Sequence, residues 1–210
     1  MRRMHVAAPL VVLIALAAVS AGCAVSDTTR YYALATPQAP DAAQRPAAES
    51  GLTIGVGPVV VPGYLDRPHV VTRDASNGLE IWSYHRWAEP LDLGIAQALA
   101  EALAARVPVD RVAVFPWRGT LARVIDYQVV VAVARFEGSP GRTVNLDARW
   151  RLLGRDGKEL AFKRTTLTEP ASADGFPALV AAMNRSISRL AHDIGETIRS
   201  QTANRAAIRE

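Results

Sequence analysis

The sequence is poor in the residues that build cross-links, metal sites and cofactor sites. Cys23 is the only cysteine among 210 residues, so no disulfide can form within the chain. The four histidines are widely separated and lack the spacing of zinc ligands. Gly55 and Gly57 begin a dinucleotide-binding pattern that no third glycine completes, and no serine lies in a Gly-x-Ser-x-Gly turn. We therefore predict that the protein is not an enzyme and that it holds no metal.

Charge is not concentrated in one part of the sequence either. The chain has 24 Lys and Arg residues against 20 Asp and Glu residues, for a formal net charge of +4. No basic run with interleaved aromatic residues occurs, so nucleic acid is not expected as a partner.

The first 22 residues have the order of a secretory signal peptide. Arg2 and Arg3 precede an apolar run over residues 6–19, and residues 20–22 are small. A helix of about 14 residues spans about 21 Å, which is short for a hydrocarbon core of about 30 Å. We therefore predict that residues 1–22 are removed and do not remain as a membrane span.

Cys23 follows this segment directly, and a lone cysteine in a secreted protein needs an explanation other than a disulfide. Ala21, Gly22 and Cys23 resemble the lipobox of bacterial lipoproteins, although Ser20 replaces the usual leucine. The resemblance implies a covalent lipid on Cys23 and no other cofactor. Because residue 24 is Ala24 and not aspartate, it also implies the periplasmic face of the outer membrane. The alternative is an ordinary signal peptide that is cut nearby.

The mature chain has the length and patterning of one α/β domain. Residues 23–50 hold the lipidated cysteine, a short strand at 31–34 and an Ala/Pro-rich linker, and the domain itself is predicted over residues 51–210. Helical periodicity predicts helices over 89–106 and 175–200, with a frayed tail after residue 200. Further strands are predicted at 52–61, 69–72, 79–82, 111–115, 126–136, 143–153 and 159–168. The predicted fold is a single periplasmic domain with a mixed, largely antiparallel sheet and helices packed on it.

Three strand signals are specific enough to test. Asn77 and Gly78 between apolar runs predict a hairpin, because both residue types tolerate positive φ. The β-branched run 129–133 predicts a central strand that is buried on both faces. Residues 143–153 alternate apolar and polar side chains, which predicts one buried and one solvated face.

The region between residues 62 and 90 is rich in aromatic residues. Trp82, Tyr84 and Trp87 lie close together in the sequence, beside Arg86. Large aromatic side chains usually belong to the core, but Trp, Tyr and Arg are also over-represented at partner surfaces. Both interpretations stay open at the level of the sequence.

Several segments resemble one known family. They are Cys23 after a signal peptide, Tyr-Tyr-Ala-Leu at 31–34, Ile-Gly-Val-Gly-Pro-Val-Val-Val-Pro-Gly-Tyr-Leu-Asp-Arg-Pro at 54–68 and Trp-Ala-Glu-Pro-Leu at 87–91. In these segments the chain is similar to the PqiC-like lipoproteins, the ABC-type transport auxiliary lipoprotein components. The resemblance covers nearly the whole mature chain.

This resemblance implies a docking or anchoring subunit without catalysis. The implied partners are an inner-membrane protein with mammalian-cell-entry domains and, in some members, an ABC transporter, which together move lipids or other hydrophobic molecules between two membranes. The family motifs place the partner-binding surface at Tyr64, Leu65, Asp66, Arg67, Trp87 and Glu89. A second hypothesis is a periplasmic lipid carrier or a lipoprotein enzyme with its own pocket. A homo-oligomer is left open.

Overall fold

The computed structural model describes residues 28–34, 51–74 and 76–207. The predicted signal peptide, Cys23 and the linker at 35–50 lie outside these residues. The described strands are β1 (Arg30–Tyr32), β2 (Thr53–Val60), β3 (His69–Arg73), β4 (Leu79–Trp87), β5 (Arg111–Val114), β6 (Tyr127–Gly138), β7 (Thr143–Gly154) and β8 (Glu159–Pro170). The described helices are α1 (Leu91–Ala104), α2 (Leu121–Val124) and α3 (Phe176–Ala207). None of these helices is long and apolar enough to cross a membrane.

The strands form one sheet that forks at β6. Along one edge β6 pairs with β7, and β7 pairs with β8, both antiparallel over nearly their full length. Along the other edge the first half of β6 pairs in parallel with β2, which in turn pairs with β5. The end of β6 meets β3 at a single pair, Thr72 and Gly138, and β3 leads to β4 and then β1. The predicted fold class, a mixed and largely antiparallel sheet with helices packed on it, is confirmed.

Helices α1 and α3 cover one face of this sheet. The side chains of Leu99 and Leu103 in α1 and of Leu190 and Ile194 in α3 are fully buried. The alternation predicted for β7 is confirmed on this face, since Trp150 is 1% exposed. Burial of these apolar stripes is the main stabilising contribution, at about 25 cal/mol per Å² of apolar surface.

The prediction that residues 129–133 are buried on both faces is wrong. Val129 and Val131 are fully buried under the helices, but Val130 is half-buried and Ala132 is exposed. The strand is central in its pairing, because β2, β3 and β7 all bond to it. The β-branched run reflects strand propensity, and with helices on only one face it does not require a second buried face.

The last helix is longer than predicted, and the predicted fraying after residue 200 is wrong for residues 201–207. Helix α3 continues to Ala207. Gln201 and Thr202 are half-buried, and the Thr202 hydroxyl donates to the carbonyl of Ile198 at 2.9 Å. Partial packing therefore extends the helix beyond its apolar stripe.

The predicted hairpin at Asn77 and Gly78 is confirmed between β3 and β4. Asn77 has φ 68°, and the amides of Ser76 and Gly78 donate to Asp74 Oδ1 at 2.8 and 2.7 Å. Strand β4 runs to Trp87, beyond the predicted end at residue 82. A bulge interrupts its pairing with β3 after Trp82, which breaks the alternation that marks a strand in the sequence.

Candidate functional site

The two segments that carry the family motifs meet in space. In the first segment the carbonyl of Pro62 accepts hydrogen bonds from the amides of Leu65 (2.8 Å) and Asp66 (3.2 Å), which forms a tight turn. The amide of Trp87 donates to the carbonyl of Pro68 at 2.7 Å and so joins the second segment to the first. The next amide, that of Ala88, donates to the carbonyl of Tyr32 in β1, also at 2.7 Å.

Between these segments lies an open groove of about 350 Å³ in front of the first turn of α1, which we call the Arg67 groove. Its lining residues are Asp66, Arg67, Pro68, Trp87, Ala88, Glu89, Pro90 and Leu91. Trp87 (6% exposed) and Leu91 (4% exposed) form an apolar floor. Asp66 and Ala88 are exposed at its rim, and Arg67 and Glu89 are half-buried.

The six predicted site residues divide into three groups. Asp66, Arg67 and Glu89 line the groove and are accessible from outside. Trp87 forms part of the floor, and Leu65, at 2% exposed, belongs to the core beneath the turn. Tyr64 points elsewhere, to a buried glutamate on β6. The predicted lipidation site at Cys23 lies outside the described residues.

Arg67 has unused hydrogen-bonding capacity in the groove. Its Nε is buried and has no hydrogen-bond partner among the described residues. No carboxylate in that part of the chain lies within ion-pair distance of it either. A buried donor without an acceptor costs about 1–3 kcal/mol, so a shift of this half-buried side chain that brings the guanidinium to an incoming carboxylate or carbonyl oxygen would be favoured.

A buried cluster around Glu137 holds the first segment in place. Glu137 is 1% exposed, and it accepts hydrogen bonds from the Tyr64 hydroxyl (2.7 Å), Arg73 Nε (2.7 Å), Arg135 Nε (3.1 Å) and the Phe136 amide (3.0 Å). Burial alone would raise the pKa of Glu137, but these hydrogen bonds outweigh burial and lower it. Burial and the bond to Glu137 raise the pKa of Tyr64 to about 12, so Tyr64 stays a donor at neutral pH.

The aromatic cluster predicted around residues 82–87 is split by the fold. Trp87 belongs to the core, Trp82 is half-buried, and Tyr84 is 49% exposed. Sequence reasoning missed the contact that organises this region, where His85 stacks on Phe176 with ring centroids 3.6 Å apart. The Tyr32 hydroxyl lies 2.9 Å from His85 Nδ1 and ties β1 to β4.

The packing of His85 predicts a stability loss in mild acid. Burial, followed by the positive charge of Arg30, lowers the pKa of His85 below its ordinary value of 6.5. The unfolded chain therefore binds the proton more readily, and stability falls as the pH drops from 6.5 through the lower folded-state pKa. Urea unfolding between pH 7.5 and 5 should show this slope, and His85→Phe, which keeps a ring against Phe176, should reduce it. Parallel curves for the two proteins would contradict the prediction.

A family described as ABC-type transport auxiliary lipoprotein component matches residues 32–195. The chain belongs to this family, which confirms the resemblance found in the sequence. It is thus an auxiliary lipoprotein component of a transport system.

Two solved structures share the fold. An uncharacterised protein has a TM-score of 0.65 and 22% identity, and the similarity covers 81% of this chain and 99% of that one. Protein XCC0632 from Xanthomonas campestris has a TM-score of 0.64 and 19% identity, and the similarity covers 84% of this chain and 99% of that one. No curated protein matches the sequence.

Proposed function

We propose that this lipoprotein is a docking subunit of an intermembrane lipid-transport system and that it binds its partner in the Arg67 groove. The observation that carries the proposal is the meeting of the two motif segments around Arg67, whose Nε has no hydrogen-bond partner among the described residues. Family membership supports the transport role. The partner we expect is an inner-membrane protein with mammalian-cell-entry domains, alone or with an ABC transporter. The subunit acts without catalysis and without a cofactor other than the lipid on Cys23, which anchors it to the periplasmic face of the outer membrane.

The groove has the features of a protein-docking site. An apolar floor of Trp87 and Leu91 is bordered by the charged side chains of Asp66, Arg67 and Glu89. Interfaces commonly combine an aromatic or aliphatic centre with an arginine that dominates the binding energy and a polar rim. Both signs of charge at the rim allow a partner segment to be oriented as well as held.

The carrier hypothesis has one supporting observation. A groove of about 500 Å³ lies beside the end of α3, and Tyr127, Leu160, Arg155 and Arg205 are among its lining residues. This volume suits a small amphiphile, and the two arginines suit an acidic head group. Native mass spectrometry of the gently extracted protein should detect a bound lipid if the chain is a carrier, and the docking proposal expects none.

Photocrosslinking in intact cells tests the docking proposal. A photoreactive residue at Ala88 or Asp66, both exposed at the groove, should capture a protein with mammalian-cell-entry domains. The same residue at Thr166, which is exposed on β8, is the control and should not capture it. Leu65 and Trp87 are unsuitable because both side chains are buried. Lipid adducts alone would favour the carrier, and equal capture at all three positions would contradict a docking site in the groove.

Arg67→Ala measures how much the Arg67 side chain contributes to partner binding in the same crosslinking experiment. An interfacial arginine that meets an acceptor typically contributes about 2 kcal/mol, so the crosslink yield should fall by about 10- to 30-fold. Arg149→Ala removes an exposed arginine from β7 and should leave the yield unchanged. An unchanged yield for Arg67→Ala would show that the partner does not use this side chain.

A further inference from the structure

The two strands at one end of the sheet, β1 and β4, carry a group of exposed apolar and aromatic side chains. Tyr31 is 63% exposed, Leu79 43%, Ile81 47% and Tyr84 49%. We call these four residues the β1–β4 patch. Large apolar side chains scattered singly over a surface need no explanation, but a group on two adjacent strands indicates a contact surface.

The patch lies along an open sheet edge. Strand β1 pairs only with His85, Arg86 and Trp87, so among the described strands none pairs with the outer edge of β4 over residues 79–84. Edge strands of monomeric proteins are usually protected by charge, proline or a covering element. In this segment Glu80 is the only charged residue.

The patch faces away from the helices. Trp82 and His85 both contact Phe176 at the start of α3, with ring centroids 5.0 and 3.6 Å apart. Because neighbouring side chains of a strand point to opposite faces, Ile81 and Tyr84 point away from α3. The patch is thus on the uncovered face of the sheet.

A positive charge accompanies the aromatic residues. Tyr31 is paired in register with Arg86 of β4. The Nη2 of Arg86 lies 3.2 Å from His69 Nε2, whereas its Nε has no hydrogen-bond partner in the described part of the chain. Within the same residues no carboxylate is in ion-pair distance of Arg86. The patch is therefore apolar, aromatic and cationic together.

The length of chain before β1 limits how far this patch can be from the anchor. Seven residue steps separate Cys23 from Arg30, and a fully extended chain covers at most about 3.6 Å per residue, or about 25 Å in all. Strand β8 lies five strands away from β1 across the sheet, which adds about 24 Å at about 4.8 Å per strand. If Cys23 carries the lipid, the β1 end therefore stays within about 25 Å of the anchor, whereas β8 can lie about twice as far from it.

We propose that the β1–β4 patch rests in the headgroup region of the membrane leaflet that holds the lipid anchor. The proposal rests on the lipidation of Cys23 put forward above. Tyrosine suits this region because its ring is apolar and its hydroxyl is polar, and an arginine guanidinium matches lipid phosphate. A covalent tether raises the effective concentration of the membrane surface, so a weak contact is sufficient. Because Ala88 bonds to Tyr32, the Arg67 groove then opens close to the membrane surface.

Fluorescence quenching of the full-length lipoprotein in vesicles tests this contact. Lipidation leaves Cys23 without a free thiol, so Tyr84→Cys gives a single site for an environment-sensitive fluorophore. The vesicles contain phosphatidylethanolamine and phosphatidylglycerol, with a quencher on the lipid headgroup. Phe162→Cys, at an apolar position on β8 that is 61% exposed, is the matched control. We expect quenching about threefold or more stronger at residue 84, since an interfacial contact reaches only about 5–10 Å into the leaflet.

The possible results distinguish a failure of the patch contact from a failure of the lipid anchor. Co-flotation with the vesicles reports anchoring, so flotation with equally weak quenching at both positions would overturn the patch contact and leave the anchor intact. If the protein does not float with the vesicles and Cys23 of the wild-type chain reacts with the fluorophore, then Cys23 carries no lipid. That result would overturn the anchor and the patch contact together. A residue 84 label that is shielded in detergent as well as in vesicles would place a second copy of the chain on the patch and overturn the lipid contact.

Discussion

Replacing Gly138 by alanine is expected to destabilise the protein by about 3 kcal/mol, because the added methyl group would meet backbone that cannot move aside. A Cβ at this position would clash with the carbonyl oxygen of Thr143 and would lie 2.8 Å from Val144 Cα. Gly138 also makes the single pair with Thr72 that joins β3 to β6. The strain would therefore act at the junction of the two branches of the sheet.

Urea unfolding followed by circular dichroism measures this effect. With a slope of about 2 kcal/mol per M, the midpoint should fall by about 1.5 M. Gly63→Ala is the matched control, since a Cβ at Gly63 meets nothing within 4 Å. It should change stability by less than about 0.5 kcal/mol, or increase it slightly by restricting the unfolded chain. Equal midpoints for the two variants would show that the β6–β7 pairing relaxes around the added methyl group.

The regular parts of the fold could be predicted because their signals are local. The alternation along β7 and the periodicity of α1 and α3 follow from burial of one face, and the Asn77 turn follows from its backbone conformation. The extension of β4 to Trp87 could not be predicted, because residues 85–87 pair with β1 in a contact across more than 50 residues. Local patterns likewise could not show that helices cover only one face of β6.

The site could be predicted only in part for the same reason. The family resemblance identified both motif segments, but backbone hydrogen bonds such as Trp87 to Pro68 bring them together, and these carry no side-chain signal. The family resemblance could not show that Leu65 and Trp87 are buried while Asp66 and Glu89 are accessible. A glutamate near a strand end is usually solvated, so the role of Glu137 was not visible in the sequence.

Glu137→Gln is expected to cost about 2–4 kcal/mol although it changes the side-chain volume very little. Oε1 accepts from Arg73 and Arg135, and Oε2 accepts from Tyr64 and the Phe136 amide. The amide group of glutamine must therefore point its NH₂ at two donors, whichever way it is turned. If the NH₂ faces Tyr64 and Phe136, the Tyr64 hydroxyl can rotate to accept from it, but the Phe136 amide loses its acceptor. If the NH₂ faces the two arginines instead, both of them lose their acceptor.

The stability lost in Glu137→Gln should also depend on pH in a defined direction. The pKa of Glu137 in the folded protein is below its ordinary value of 4.5. The carboxylate therefore contributes its full stabilisation above about pH 4.5, and this stabilisation is lost as the pH falls through the lower folded-state pKa. The stability difference between wild type and Glu137→Gln should therefore be largest at neutral pH and narrow below about pH 4.5. Glu159→Gln, at an exposed position on β8, should stay within about 0.5 kcal/mol of wild type throughout.

This variant also tests how the groove depends on the cluster. Tyr64 is two residues from Asp66 and three from Arg67, and its bond to Glu137 fixes the segment that presents both. If the cluster positions the groove, Glu137→Gln should lower photocrosslinking from Ala88 under conditions in which the variant is still folded, as shown by an unchanged circular dichroism spectrum. Full crosslinking in a folded but destabilised variant would mean that the turn closed by Pro62 holds Arg67 in place without Glu137. The buried carboxylate would then stabilise the junction of β3 and β6 and would have no part in docking.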